Sequence, residues 1–123
     1  MSVESLKVLI CDDSMLVRKK LTNALKGMGV SEVYEAADGE QAVAVFKEKM
    51  PDLTLMDIVM PKMTGVDALK AILAADSKAK VVMASSVGTQ ENLKDAINAG
   101  AFDFLQKPIT DEQLKHIIDK LSK

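Results

Sequence analysis

Apolar residues along this chain come in two alternating spacings. Short, nearly continuous runs read as strands: Lys7-Val8-Leu9-Ile10-Cys11, Val33-Tyr34-Glu35-Ala36-Ala37, Leu53-Thr54-Leu55-Met56-Asp57, Lys80-Val81-Val82-Met83-Ala84, and Phe102 to Gln106. Between them, apolar positions recur at the spacing of a helix with one covered face. Val17, Leu21, Ala24, Leu25 and Met28 make the first such stripe, with Arg18, Lys19, Lys20 and Lys26 on the other side. Ser14 caps this helix, and Gly27 and Gly29 stop it. A second helix starts at about Glu40 with Val43, Phe46 and Met50 inward, and Pro51 closes it because the residue before proline resists helical backbone. A third runs from Thr64 to Ala75 over Val66, Leu69 and Leu73. A fourth, from about Gln90 to Gly100, is expected to bury Leu93, Ala96 and Ile97. The last begins at Thr110, carries Asp111 and Glu112 where the helix dipole favours acids, and buries Leu114, Ile117, Ile118 and Leu121.

Strand followed by helix, five times over with short connections, predicts an α/β fold. Its strands form a parallel sheet with helices on both faces. Right-handed crossovers make a doubly wound five-stranded sheet the natural arrangement. The second strand is the more polar and is expected at an edge. Residues 1–123 are expected to form one domain, with no linker and no low-complexity segment.

Composition narrows the picture. Hydrophobic residues make up 48% of the chain and charged residues 28%, which suits a packed core rather than disorder. The formal net charge is -2 and the basic residues form no stripe, so neither nucleic acid nor an anionic membrane is an expected partner. No segment has the apolar length of a membrane span, and the N-terminus lacks the pattern of a signal peptide. The lone Cys11, inside an apolar run, is expected to be buried and reduced in a cytoplasmic protein. The eight methionines read as core filling, and His116 as a surface residue.

The candidate chemistry lies where the strands end. In sheets of this kind, ligands bind at the carboxyl edge. The residues delivered there are Asp12 and Asp13, then Asp57, then Ser85 and Ser86, then Lys107. Alone, each has an ordinary explanation: a helix cap, a turn former before Pro61, a surface lysine. Together they place three mutually repelling carboxylates at one edge, which proteins tolerate where a cation binds. An all-oxygen donor set suits Mg²⁺, and a divalent ion beside Lys107 would cancel the three negative charges. Such a site suits phosphoryl transfer, with Asp57 as the better nucleophile and Asp12 and Asp13 as the metal pair. Ser85 can donate to a phosphoryl oxygen.

These features, with Met60-Pro61 and Gly65 after Asp57 and Pro108 after Lys107, resemble a response-regulator receiver domain of the single-domain, CheY-like type. The likeness spans essentially the whole chain. It implies a flavodoxin-like sheet of strand order 2-1-3-4-5 with five helices. It implies that Asp57 accepts a phosphoryl group from the phosphohistidine of a histidine kinase. Mg²⁺ would be held by Asp12, Asp13, Asp57 and the backbone carbonyl of Val59, and Lys107 would contact the phosphoryl group. The Lys107-Pro108 peptide would be cis. Ser85 would turn inward, the Phe104 ring would follow, and the surface of the fourth helix, fifth strand and fifth helix, near Gln106, would change. Such a protein is a signalling switch that catalyses only its own modification, acting as a monomer. Its output would be a flagellar motor switch protein or, in a relay, a phosphotransfer protein. The stretch from Asp12 to Arg18 looks more like chemotaxis members.

Two departures stand out. The switch aromatic, often tyrosine in this family, is Phe104 and lacks a hydroxyl. Val59 and Val87, each two residues beyond a site residue, offer nothing polar to orient water, so self-hydrolysis of the acyl phosphate is expected to be slow. Two other classes fit less well. A phosphatase of the haloacid-dehalogenase type needs a second acid two residues after the nucleophile, where this chain has Val59. A flavodoxin-like carrier needs a hydroxyl-rich loop after the first strand, where Asp12 and Asp13 would repel a phosphate.

Overall fold

The computed structural model describes residues 3–86 and 90–122, with side chains for all of these but 90–93 and 122. After a short 3-10 turn at Val3–Ser5, strands and helices alternate. The order is β1 (Lys7–Cys11), α1 (Met15–Gly27), β2 (Glu32–Ala36), α2 (Gly39–Lys49), β3 (Leu53–Asp57), α3 (Gly65–Ala75), β4 (Val81–Ser85), α4 (Gln90–Ala99), β5 (Asp103–Gln106) and α5 (Asp111–Ser122). All pairings are parallel, and the strands lie in the order β2-β1-β3-β4-β5. The polar β2 is an edge strand, as its sequence suggests.

Alternation along each inner strand feeds two cores, one on each face of the sheet. Val8, Ile10, Leu53, Leu55 and Val82 point to the face covered by α1 and α5, where they meet Leu21, Leu25, Leu114, Ile117 and Ile118. Leu9, Cys11, Met56, Val81 and Met83 point to the other face, against Phe46, Leu69, Ile72 and Ala96. Burial on both faces explains the continuous apolar runs of these strands. The starts of α1, α2, α3 and α5 are satisfied locally. Ser14 Oγ accepts from the Val17 amide at 3.3 Å, Asp38 Oδ1 from Gln41 at 2.8 Å, and Thr64 Oγ1 from Asp67 at 3.2 Å. Thr110 and Gln113 exchange bonds of 2.9 and 3.2 Å as a capping box for α5.

Three details differ from the sequence reading. Met50 does not point inward: it ends α2 in the left-handed conformation, φ 47°, and is half exposed, while Ala42 and Phe46 fill the core. Ile97 is likewise exposed, whereas Ala96 of the same stripe is buried. Methionine is not uniformly core filling, since Met56 and Met83 are buried but Met15 is 69% exposed. The expected burial of the Leu93 side chain and the position of Val87 lie outside the described residues.

Candidate functional site

Strand register builds the site. Cys11 pairs with Met56, so the next residues, Asp12 and Asp57, leave their strands side by side. Asp57 pairs with Ala84, and Ser85 follows one step on. Ser85 pairs with Gln106, so Lys107 comes next, its amide donating to the Ser85 carbonyl at 2.7 Å. The Lys107-Pro108 peptide is cis. Adjacent strand ends thus gather an acid pair, an acid, a hydroxyl and an ammonium.

Asp12, Asp57 and Ser85 are buried, whereas Asp13 faces solvent. Lys107 Nζ bridges two carboxylates, 2.6 Å from Asp12 Oδ2 and 3.1 Å from Asp57 Oδ2. The second oxygen of Asp12 accepts from the Ser14 amide at 2.9 Å, and that of Asp57 from the Val59 amide at 3.4 Å. Burial pushes the Asp57 carboxyl above its ordinary value; Lys107 pulls the other way and Asp12 adds to the rise. Partial burial opposes the Lys107 charge, but its bonds to Asp12 and Asp57 prevail and hold its ammonium above the usual lysine value. One oxygen each from Asp12, Asp13 and Asp57 lie within 4.8 Å of one another. This hard, anionic donor set, open to solvent at Asp13, can hold a metal ion.

Backbone contact fixes the loop beyond Asp57. A Cβ on Gly65 would fall 2.0 Å from the Asp57 carbonyl oxygen, so only glycine lets α3 start this close to the end of β3. A Cβ on Gly39 would fall 2.2 Å from the Met63 carbonyl oxygen, so the same loop is pressed against the start of α2. Between them Lys62 has φ 67°. Val59 is 55% exposed at the rim of the site.

Residues 8–119 match the family model of the response regulator receiver domain. The chain belongs to this family. It is 39% identical to chemotaxis protein CheY of Thermotoga maritima over 95% of this chain and 98% of that one. It is 42% identical to CheY of Bacillus subtilis, over 93% of this chain and 95% of the relative. Among solved structures, a response regulator receiver domain protein of Clostridium thermocellum superposes with a TM-score of 0.89 at 28% identity, over 94% and 93% of the two chains. Chemotaxis protein CheY4 of Vibrio cholerae does so with 0.85 at 30% identity, over 94% and 98%. The flavodoxin-like receiver fold and a place in two-component signalling follow. The haloacid-dehalogenase and flavodoxin readings fall away.

Of the residues named from sequence, Asp12, Asp13, Asp57 and Lys107 come together, and Ser85 stands beside them. Phe104 and Gln106 lie apart on β5, both exposed, with Phe104 46% accessible. Sequence reasoning missed Arg18. It was counted among the solvent-facing basic residues of α1, but only 15% of its side chain is accessible. The available signal was its place one turn into the helix, because helical side chains lean back toward the N-terminus.

Proposed function

We propose that this receiver takes a phosphoryl group on Asp57 from the phosphohistidine of a histidine kinase and signals by changing its α4-β5-α5 surface. One observation carries the proposal: Lys107 bridges Asp57 to Asp12, beside a carboxylate triad able to hold a cation. An oxygen of Asp57 attacks phosphorus. The phosphorus–nitrogen bond to the donor breaks, and the imidazole keeps the electron pair and takes up a proton. Lys107 moves its contact from the Asp57 carboxylate to a phosphoryl oxygen, and Ser85 donates to another. Asp12, Asp13, Asp57 and the Val59 carbonyl would hold Mg²⁺, which would supply neutralising charge to the phosphoryl oxygens. The buried Asp12, bonded to Lys107, orients the group rather than reacting.

The output follows from what is exposed. Ile97 and Phe104 are large apolar residues on α4 and β5 that no core covers, with Gln106 nearby. Movement of Ser85 toward the phosphate opens space for the Phe104 ring and removes an apolar group from this surface. Near full-length likeness to CheY relatives favours a cytoplasmic chemotaxis role with a motility protein as target. Incubation with a radiolabelled phosphohistidine donor and Mg²⁺ tests transfer. Label should move to this chain and should not move in EDTA; transfer that proceeds equally in EDTA would overturn the metal assignment. A pulldown with and without beryllofluoride should then capture a motor protein only when the fluoride is present. Capture of a phosphotransfer protein instead would make the chain a relay intermediate.

A further inference from the structure

The Asp12–Asp13 peptide is held by a residue outside the site. Arg18 donates from Nη1 to the Asp12 carbonyl at 2.7 Å and from Nε to Glu35 Oε1 at 3.0 Å. The Asp12 amide donates to the Ala36 carbonyl at 3.1 Å. Both backbone polar groups of Asp12 are therefore bound, one by β2 and one by α1. The Asp12 carbonyl belongs to the planar peptide unit that joins Asp12 to Asp13. Fixing its direction fixes the plane from which Asp13 departs, and with it the relative aim of two of the three clustered carboxylates. The guanidinium is itself anchored: its planar fork spans Asp12 and Glu35 at once, and little of the side chain meets solvent. A lysine, with a single nitrogen on a flexible stem, cannot hold two divergent acceptors in this way.

We infer that Arg18 is a positioning residue for the metal site, acting through the Asp12 carbonyl without touching the ion. The inference rests on the proposed metal-dependent phosphoryl transfer and names a residue that sets the affinity of that site. It makes a prediction opposite in sign to simple charge effects. Arg18 is a cation near a cluster of acids. If charge were its only role, removing it would tighten Mg²⁺ binding. If it only joined α1 to β2, removing it would lower stability and leave Mg²⁺ affinity alone. If it sets the peptide plane, Mg²⁺ binding weakens even when the charge is kept.

The test uses the full chain, stripped of metal, at pH 7 and low salt. Mg²⁺ affinity is measured by titration calorimetry for wild type, Arg18→Gln and the charge-preserving Arg18→Lys. Both variants should bind roughly tenfold more weakly, the scale typical of residues that orient metal ligands. Amide hydrogen exchange should be faster at Asp12 and Ser14, with the β3 amides unchanged. Unchanged affinity in Arg18→Lys, or tighter binding in Arg18→Gln, would overturn the inference. A wild type that binds no Mg²⁺ would refute the metal reading itself. The exchange data judge the clamp separately: equal protection of Asp12 and Ser14 in wild type and Arg18→Lys refutes it.

Discussion

The middle of β3 and its carboxyl end are adjacent in sequence and follow opposite rules. Leu53, Leu55 and Met56 are fully or nearly buried among apolar partners on the two faces of the sheet. One residue further, Asp57 is a buried acid whose charge is disfavoured by its surroundings. The chain after it passes between two glycine contacts and through a residue of positive φ. In the interior, local pattern, burial and pairing agree, which is what stabilises a fold. At the edge they conflict, and the conflict places a buried carboxylate beside an ammonium. Stability is generated in one region and partly given up in the other.

The largest effects should come from disturbing the packing of either region. Phe46→Ala empties a fully buried position and should cost about 3–5 kcal/mol in denaturant unfolding. Gly65→Ala should cost about 3 kcal/mol by forcing a methyl group into the Asp57 carbonyl. The two differ in what survives. Folded Phe46→Ala should keep its Mg²⁺ affinity, whereas Gly65→Ala should lose it, because the strand end that carries Asp57 must move. Equal Mg²⁺ affinity in both would erase the distinction between core and edge.

A smaller effect tests the strain directly. Asp57 has a higher pKa folded than unfolded, so folding favours its protonated form. The stability it contributes is full below the unfolded carboxylate value of about 4 and is lost as pH rises through the folded value. Asp57→Asn, which stays uncharged, should therefore melt above wild type at pH 7 in EDTA, and the gap should close as pH falls toward about 4. A wild type that melts higher under those conditions would show that Asp57 is not strained.

How far these two regions were legible in sequence follows from their physics. The inner strands β1, β3 and β4 were readable because burial on both faces leaves their middles almost wholly apolar, Thr54 excepted. The site was readable because parallel register carries each strand's last residues to a common edge, so Asp12, Asp57, Ser85 and Lys107 could be grouped from their places at the strand ends. Met50 was misplaced because α2 stops before it and the backbone there turns left-handed, and Ile97 because helical periodicity gives the direction of a face but not its width. Arg18 was missed because its partners are a backbone carbonyl and the neighbouring edge strand, and neither leaves a periodic signal. The two glycine contacts depend on how closely a loop approaches a strand end, which composition does not encode.

The smallest effect belongs to the interior. Thr54 is fully buried and its hydroxyl has no hydrogen-bond partner, an edge-like conflict in the middle of β3. Thr54→Val keeps the shape, removes the unpaired group and should stabilise by about 1 kcal/mol, with phosphorylation unchanged. A loss of stability would mean the hydroxyl is satisfied after all.

Most direct for the central claim is intact-mass analysis after incubation with acetyl phosphate and Mg²⁺. Wild type should gain one phosphoryl group, removable by hydroxylamine, and Asp57→Asn should gain none. No adduct on wild type, or an undiminished one on Asp57→Asn, would contradict the assignment of Asp57 as the acceptor.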